Sequence, residues 1–263
     1  SISFQSTPVN IFSSLITGRI VATLSALIVI LVGCGAGIWQ LNRADYKIRL
    51  GESLAAKLQM PVLNANTDIL TLERATERRI LARGRFMQDQ TIWLDNRPRP
   101  IPDGGAGSAG QSGFYVMMPL KLEGQELVLW VNRGWAPRNN ENRTELPPVK
   151  TPDQVVSIEG VAFPHPGRVY ELGQKGDTSA KPRIEQNFDL ALEAQSHGWK
   201  QLPFIVRESD SAKKDGLVRN WPLPTNGVDR HYAYAFQWFA LALAGFLFWL
   251  INGLMKYRRE LAV

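Results

Sequence analysis

Histidine is the residue type in this chain with the clearest capacity for chemistry, and only three are present: His165, His197 and His231. His165 lies between two prolines in a predicted loop, and His197 precedes a glycine at a predicted helix end. Neither is predicted to have Cys, His or acidic neighbours at the spacing of a zinc site. The sequence also lacks the G-x-S-x-G elbow and the H-E-x-x-H motif. It therefore gives no positive signal for an enzyme.

His231 differs from the other two because an apolar, aromatic stretch follows it. The rings in that stretch are Tyr232, Tyr234, Phe236, Trp238 and Phe239. One interpretation is an aromatic belt with a polar residue at the level of the lipid headgroups, which position alone favours. The other is an axial ligand for a haem at the membrane surface. A neutral imidazole binds haem iron, and the nearby rings would cover the macrocycle.

Two apolar stretches, one near each end of the chain, would position these residues. No charged side chain occurs from Ile20 to Asn42 or from Tyr232 to Met255. A helix that rises about 1.5 Å per residue makes each stretch roughly 35 Å long, enough to cross a bilayer. The sequence therefore predicts a membrane protein in which two transmembrane helices flank one folded domain.

The basic residues near the second stretch predict the orientation. Lys256, Arg258 and Arg259 follow it directly, which indicates a cytoplasmic C-terminus under the positive-inside rule. Three basic residues follow the first stretch (Arg43, Lys47 and Arg49) and only Arg19 precedes it, which disagrees, but long domains translocate largely regardless of charge. The predicted organisation is a cytoplasmic segment (1–19), a first transmembrane helix (20–42), a periplasmic or intermembrane-space domain (43–230), a second transmembrane helix (231–255) and a basic cytoplasmic tail (256–263).

The domain between the spans has the pattern of short strands. The first helix is predicted to continue out of the membrane as far as Pro61. Runs rich in Val, Ile, Leu and aromatic residues, separated by Gly, Pro, Asn or Asp, then predict strands. These are residues 80–86, 91–97, 114–122, 126–133, 155–163, 168–172 and 204–208. With a helix at 187–197 and a flexible hairpin loop at 103–113, they indicate a mainly antiparallel β domain, sandwich or barrel, with one or two small helices.

Charge and cysteine usage exclude two classes of protein. The net charge of +6 is divided between the membrane flanks and a mildly basic domain, so no concentrated stripe suggests a nucleic-acid partner. Cys34 is the single cysteine and lies inside the first apolar stretch. An intrachain disulfide is therefore excluded, and so are the paired cysteines of copper carriers and thiol oxidoreductases.

Four short motifs, from the end of the first span to the start of the second, resemble a known family. They are GIWQLNR at residues 37–43, GRF at residues 84–86, VNRGWAP at residues 131–137 and HYAYAFQWF at residues 231–239. Together with the helix–domain–helix layout, they are similar to the Surfeit locus protein 1 family of cytochrome c oxidase assembly factors. The resemblance runs from about residue 20 to residue 258.

The resemblance implies an accessory protein that builds haem-copper terminal oxidases around the stage of haem A insertion. Its implied partners are the oxidase catalytic subunit, membrane lipid and, as a further candidate, the enzyme that makes haem A. Its implied location is the bacterial inner membrane, or the mitochondrial inner membrane if the chain is eukaryotic. His231 matches the family's candidate for the haem ligand, with Tyr234 and Trp238 beside it. Arg230 stands where the family often has Asn, and it could pair with a haem propionate.

Arg133 and Trp135 are also candidate contacts to haem or to a partner, because they end a predicted hairpin strand. Their structural alternative is a turn in which Arg133 bonds backbone carbonyls and Trp135 packs in the core. Three functions stay open at this point: a haem-handling assembly factor, a scaffold for the oxidase subunit that binds no cofactor, and an unrelated membrane-anchored sensor or enzyme.

Overall fold

The computed structural model describes residues 16, 18–101, 110–142, 145–170, 181–210 and 212–262. The chain divides into two compact units, one formed by residues 1–50 with 227–263 and the other by residues 51–226. The helices are α1 (Ile20–Gln59), α2 (Leu72–Ala75), α3 (Leu190–His197) and α4 (Val228–Leu261), with a 3-10 turn at Gln88–Gln90. The strands are β1 (Leu63–Asn64), β2 (Arg79–Phe86), β3 (Ile92–Pro98), β4 (Ser112–Leu122), β5 (Val128–Pro137), β6 (Val156–Phe163), β7 (Arg183–Glu185) and β8 (Gln201–Glu208).

The first unit is an antiparallel pair formed by α1 and α4. Trp249 donates from Nε1 to Thr23 Oγ1 at 3.0 Å, and His231 contacts Gln40 towards the other end of the pair. Gly33 lets the helices approach closely, since a Cβ there would lie 2.9 Å from both Ala242 Cβ and the Trp238 carbonyl oxygen. Both helices are long and apolar enough to cross a membrane, and only 11% of each apolar window is buried. The prediction of two apolar spans that flank a β domain is confirmed.

The second unit is built on a closed ring of five strands. Their order is β2-β6-β8-β5-β4, and a pairing between β2 and β4 returns the sheet to its first strand. Every pairing in the ring is antiparallel except that of β5 with β8. Gly84 is needed at the closure because a Cβ there would lie 2.2 Å from the Lys121 carbonyl oxygen. Of the two predicted architectures, sandwich and barrel, the structure has the barrel.

The barrel places one core inside the ring and a second against its outer face. Residues that alternate along β2, such as Ile80, Ala82 and Phe86, point inwards. Strand β5 is buried along nearly its whole length, because its outer face is also covered. There the Trp130 ring meets Phe188 edge to face at 5.0 Å. A strand buried on both faces gives a continuous apolar run, as residues 127–131 do.

The strand predicted at residues 168–172 is wrong for residues 168–170, which are not in a strand. Val169 bonds instead to the side chain of Asn187: its N–H donates to Oδ1 and its carbonyl accepts from Nδ2, both at 2.9 Å. A side-chain amide thus takes the place of a ladder partner. Residues 171 and 172 lie outside the described residues, as do residues 103–109 of the predicted hairpin loop. The short strands β1 and β7 were not predicted from the sequence.

Candidate functional site

His231 lies in the first turn of α4 and is joined to α1 by its side chain. The helix begins after Gly227, which caps it in the left-handed conformation with φ of 83°. Nδ1 of His231 lies 2.7 Å from Oε1 of Gln40. No described residue forms a hydrogen bond with Nε2 of His231. The ring is therefore held from one side and presents its second nitrogen away from that contact.

The contact with Gln40 has a chemical consequence for the imidazole. When Nδ1 carries the proton, it donates to the Gln40 oxygen and Nε2 keeps its lone pair. A histidine that ligates a metal usually donates its other ring N–H to a carbonyl or carboxylate in this way. The donor set therefore fits a haem iron on Nε2. The GIWQLNR motif contains Gln40, but sequence reasoning did not assign it to the site.

Three cations act on this imidazole. The charges of Lys47, Arg43 and Arg230 all act on His231. Lys47 Nζ also lies 3.5 Å from where a Cβ at Gly227 would be, which places it beside the first turn of α4. Haem propionates are carboxylates, and charge-assisted hydrogen bonds from Lys or Arg would suit them. The prediction that Arg230 pairs with a propionate stays a prediction, and the structure adds Arg43 and Lys47 as candidates.

Tyr234 and Trp238 follow His231 at helical intervals of three and seven residues, so the three share one side of α4. Tyr234 is exposed and Trp238 is half-buried. Ala235, about one helical turn after His231, is buried. The structure thus places two rings along the same helix as the candidate ligand. Their contact with haem stays a prediction.

Arg133 lies in the β-barrel unit and its side chain is only 3% exposed. Its guanidinium donates to Asp215 Oδ2 at 3.2 Å, to Thr151 Oγ1 at 2.5 Å and to the Lys150 carbonyl at 3.3 Å. It also lies over the Phe86 ring, 4.6 Å from the ring centroid. These contacts favour a structural role for Arg133, but the residue lies within β5 and not in the predicted turn. A contact with haem or a partner stays a prediction.

Trp135 is likewise used within the barrel unit. It is 1% exposed, and its Nε1 donates to the Arg97 carbonyl at 2.9 Å. Its backbone forms an antiparallel bridge with Val218, with N–H to carbonyl hydrogen bonds in both directions. Burial with a satisfied indole N–H is the normal environment of a structural tryptophan. The structural alternative is supported here as well.

Residues 27–243 match the SURF1 family. This chain belongs to the SURF1 family. The Surfeit locus protein 1 of Arabidopsis thaliana is 29% identical over 217 residues, which are 78% of this chain and 53% of the plant protein. A SURF1-like protein of Rickettsia bellii is 26% identical over 226 residues, which are 83% of this chain and 85% of that protein. The SURF1-like protein of Rickettsia felis is 24% identical over 241 residues, which are 90% and 96% of the two chains.

The chain spans about half the length of the plant relative, and 37% of that of the SURF1-like protein of Drosophila melanogaster. The resemblance predicted from four motifs is confirmed. In this SURF1 family member, each motif contains a residue with a specific contact. Gln40 bonds His231, Gly84 closes the barrel, and Arg133 joins a buried ion-pair network.

That network is the largest feature of the barrel unit that sequence reasoning missed. Arg219 donates to Asp215 Oδ2 at 2.5 Å and to Glu208 Oε2 at 3.3 Å, and all three residues are buried. Burial acts to raise the pKa of Asp215, but the hydrogen bond and charge of Arg219, with help from Leu217 N–H and Arg133, hold it below its usual range. The one signal in the sequence was that Asp215 and Arg219 are four residues apart, the spacing of a possible ion pair.

The prediction that His197 has no acidic neighbour at ligand spacing was wrong. Glu193 lies one helical turn earlier on α3, and its Oε2 is 3.1 Å from His197 Nε2. Arg183 also donates to both oxygens of Glu193, so this carboxylate is part of an ion-pair cluster. Within the described ranges, no group of three or more His, Cys, Asp or Glu side chains could hold a metal ion.

Proposed function

We propose that this chain assists the assembly of a haem-copper terminal oxidase and that it carries haem A at His231 as cargo for the oxidase catalytic subunit. Membership of the SURF1 family, a family of cytochrome oxidase assembly factors, supports the assembly role. The observation that carries the haem role is the 2.7 Å contact between Gln40 and Nδ1 of His231. It leaves Nε2 as the nitrogen that can bind iron.

The charged and apolar surroundings of His231 support the same cargo. Arg43, Lys47 and Arg230 would hold the propionates, and Tyr234 and Trp238 would contact the macrocycle. Further along α4, Phe236 is 74% exposed and Phe248 is 72% exposed. Such rings suit an apolar tail or the lipid around it. When bound, haem supplies an iron centre, and this chain's residues hold and orient that centre.

The proposed location is the bacterial inner membrane, with the β domain on the periplasmic side. Two apolar helices and a basic end to α4 support this arrangement. Arg258 and Arg259 lie in the last turn of α4, where cations also suit the helix dipole. His231, at the other end of α4, would then lie at the outer surface of the bilayer.

A scaffold that holds the oxidase subunit without binding haem is the second candidate. The exposed apolar surface of α1 and α4 favours it, because such surface contacts either lipid or another membrane helix. Both candidates predict that the oxidase subunit co-purifies with this chain. Only the first predicts that haem does so as well.

The deciding experiment is a reduced-minus-oxidised and pyridine haemochrome spectrum of the chain, purified in mild detergent from cells that make haem A. We expect near-stoichiometric haem in the parent protein and its loss in His231→Ala. His165→Ala is the matched control, because His165 lies in an exposed loop and should not affect haem content. Absence of haem from the parent, with the oxidase subunit still present, would leave the scaffold.

A further inference from the structure

The guanidinium of Arg207, on β8, lies over two aromatic rings. It lies 4.4 Å from the centroid of Phe163 and 4.9 Å from the centroid of Trp221. The Trp221 ring is fixed in turn, since its Nε1 donates to the Glu208 carbonyl at 2.8 Å. Because both of these neighbours are aromatic rings, the N–H groups of the guanidinium stay available for polar contacts.

No described residue accepts a hydrogen bond from Arg207 or forms an ion pair with it. Three other arginines of the barrel unit do pair with carboxylates: Arg133 with Asp215, Arg219 with Glu208, and Arg183 with Glu193. The side-chain nitrogens of Arg207 are not fully buried. They therefore reach solvent, and Arg207 is a cation stacked on apolar rings with no carboxylate.

Tyr115 adds a second donor beside this cation. The charges of Arg207 and Arg97 both act on its hydroxyl, and its ring meets Trp221 edge to face at 5.5 Å. Burial raises the pKa of Tyr115, so the hydroxyl keeps its proton at neutral pH. Burial lowers the pKa of Arg207 to about 10, which leaves the guanidinium charged at pH 7.

Arg97, the other cation near Tyr115, brings no carboxylate to the site. It lies over the Tyr115 ring, 5.4 Å from the centroid, and its two terminal nitrogens donate to the backbone carbonyls of Gly167 and Gln186. The neighbourhood of Tyr115 thus holds two guanidinium groups, and neither bonds a carboxylate. Burial of a cation without a counter-charge costs stability unless a ligand supplies the anion.

We propose that Arg207, with the Tyr115 hydroxyl, binds a carboxylate that comes from outside this chain. A carboxylate is planar and presents two oxygens to the N–H edge of a guanidinium, and the N–H groups of Arg207 have no partner among the described residues. Trp, Tyr and Arg are also the residue types that dominate binding hot spots. The carboxylate belongs either to a free small acid or to an Asp or Glu side chain of a partner protein. This site does not depend on haem and lies wholly within the barrel unit.

The first test is the thermal unfolding of the full chain in detergent, with chloride replaced by acetate at constant ionic strength. We expect acetate to raise the Tm of the parent by about 2–4 °C once its concentration exceeds the Kd. Arg207→Met should abolish this rise, and should itself raise the Tm in chloride because an uncompensated cation is removed. Arg138→Met is the control: Arg138 also stacks on a ring, that of Phe114, but it pairs with Asp95. It should keep the acetate response.

A terminally blocked glutamyl peptide identifies the source of the carboxylate. A peptide affinity about tenfold or more above that of acetate supports a protein partner, and equal affinities support a free acid. An acetate response that survives in Arg207→Met would overturn the proposal. So would a response to phosphate with none to either carboxylate.

Chemical modification of the parent protein tests the same site if Arg207→Met does not fold. Phenylglyoxal modifies accessible arginines, and mass spectrometry reports each site separately. We expect acetate at about ten times its Kd to slow modification of Arg207 roughly tenfold, and to leave the rate at Arg138 unchanged. Equal rates at Arg207 with and without acetate would contradict the site.

Discussion

Gln40 and His231 are 191 residues apart in the chain, yet Oε1 of Gln40 lies 2.7 Å from Nδ1 of His231. The contact ties α1 to the first turn of α4 and fixes the orientation of the imidazole. Gln40 would also affect how Nε2 binds a metal, because the hydrogen bond at Nδ1 controls the basicity of Nε2. The proposed haem site therefore depends on Gln40 as much as on the rings around it.

Substitution of Gln40 should change the affinity and the midpoint potential of bound haem, although the proposed ligand His231 stays in place. Gln40→Leu loses the acceptor for Nδ1–H, and we expect haem affinity to fall about 10- to 100-fold. Gln40→Glu supplies a carboxylate, which should retain haem and lower its midpoint potential because the imidazole becomes more basic. Haem titration and redox potentiometry measure both effects. Gln237→Leu, an exposed glutamine on α4, is the control. An unchanged potential in Gln40→Glu would contradict the role of Gln40.

The packing of α1 on α4 should depend on Gly33 and not on Gly35. A Cβ at Gly33 would lie 2.9 Å from Ala242 Cβ, whereas a Cβ at Gly35 would have no atom within 4 Å. We expect Gly33→Leu to destabilise the pair by about 1–3 kcal/mol, the usual cost of overpacking. Gly35→Leu adds the same side chain to an open face and should cost little. Thermal unfolding in detergent measures both variants, and equal losses would argue against close approach at Gly33.

The sequence predicted elements whose residues follow a local pattern. The inward-facing residues of β2 alternate with exposed ones, so the strand was predicted to within one residue. Strand β7 has no such pattern: Arg183, Ile184 and Glu185 pair in parallel with β3, and Arg183 also bonds Glu193 on α3. Its conformation depends on partners distant in the chain, so local propensity gives no signal for it.

The same limit applied to the candidate site. His231 was found because its position before an aromatic stretch is a local feature. Gln40 was missed because its partnership with His231 follows from the register between two helices, which the sequence does not display. The buried set of Glu208, Asp215 and Arg219 was missed for a related reason, since charged side chains are ordinarily solvated. Their burial became evident only from the fold.

Asp215 should make the barrel unit sensitive to acid. Its pKa is lowered in the folded state, so its contribution to stability is complete above the unfolded value of about 3.8 and is lost as pH falls through the lower folded pKa. Asp215→Asn should cost roughly 3–5 kcal/mol at pH 7, because Arg133 and Arg219 lose their shared partner. It should also flatten the dependence of stability on pH below about 4.

Unfolding by urea at a series of pH values tests this prediction. Asp153→Asn is the control, because Asp153 is exposed and accepts a hydrogen bond from Gln88 on the surface. The control should follow the parent at every pH. A variant Asp215→Asn with the stability of the parent at pH 7 would contradict a structural role for this carboxylate.

Closure of the barrel should depend on the absence of a side chain at Gly84. This residue pairs with Leu122 across the contact between β2 and β4 that completes the ring, and a Cβ would lie 2.2 Å from the Lys121 carbonyl oxygen. Backbone cannot yield as a flexible side chain does, so Gly84→Val should force the two strands apart. We expect faster amide hydrogen exchange along both strands and a lower Tm. Leu81→Val, an exposed position on β2, should leave exchange unchanged, and equal protection in both variants would contradict a closed ring.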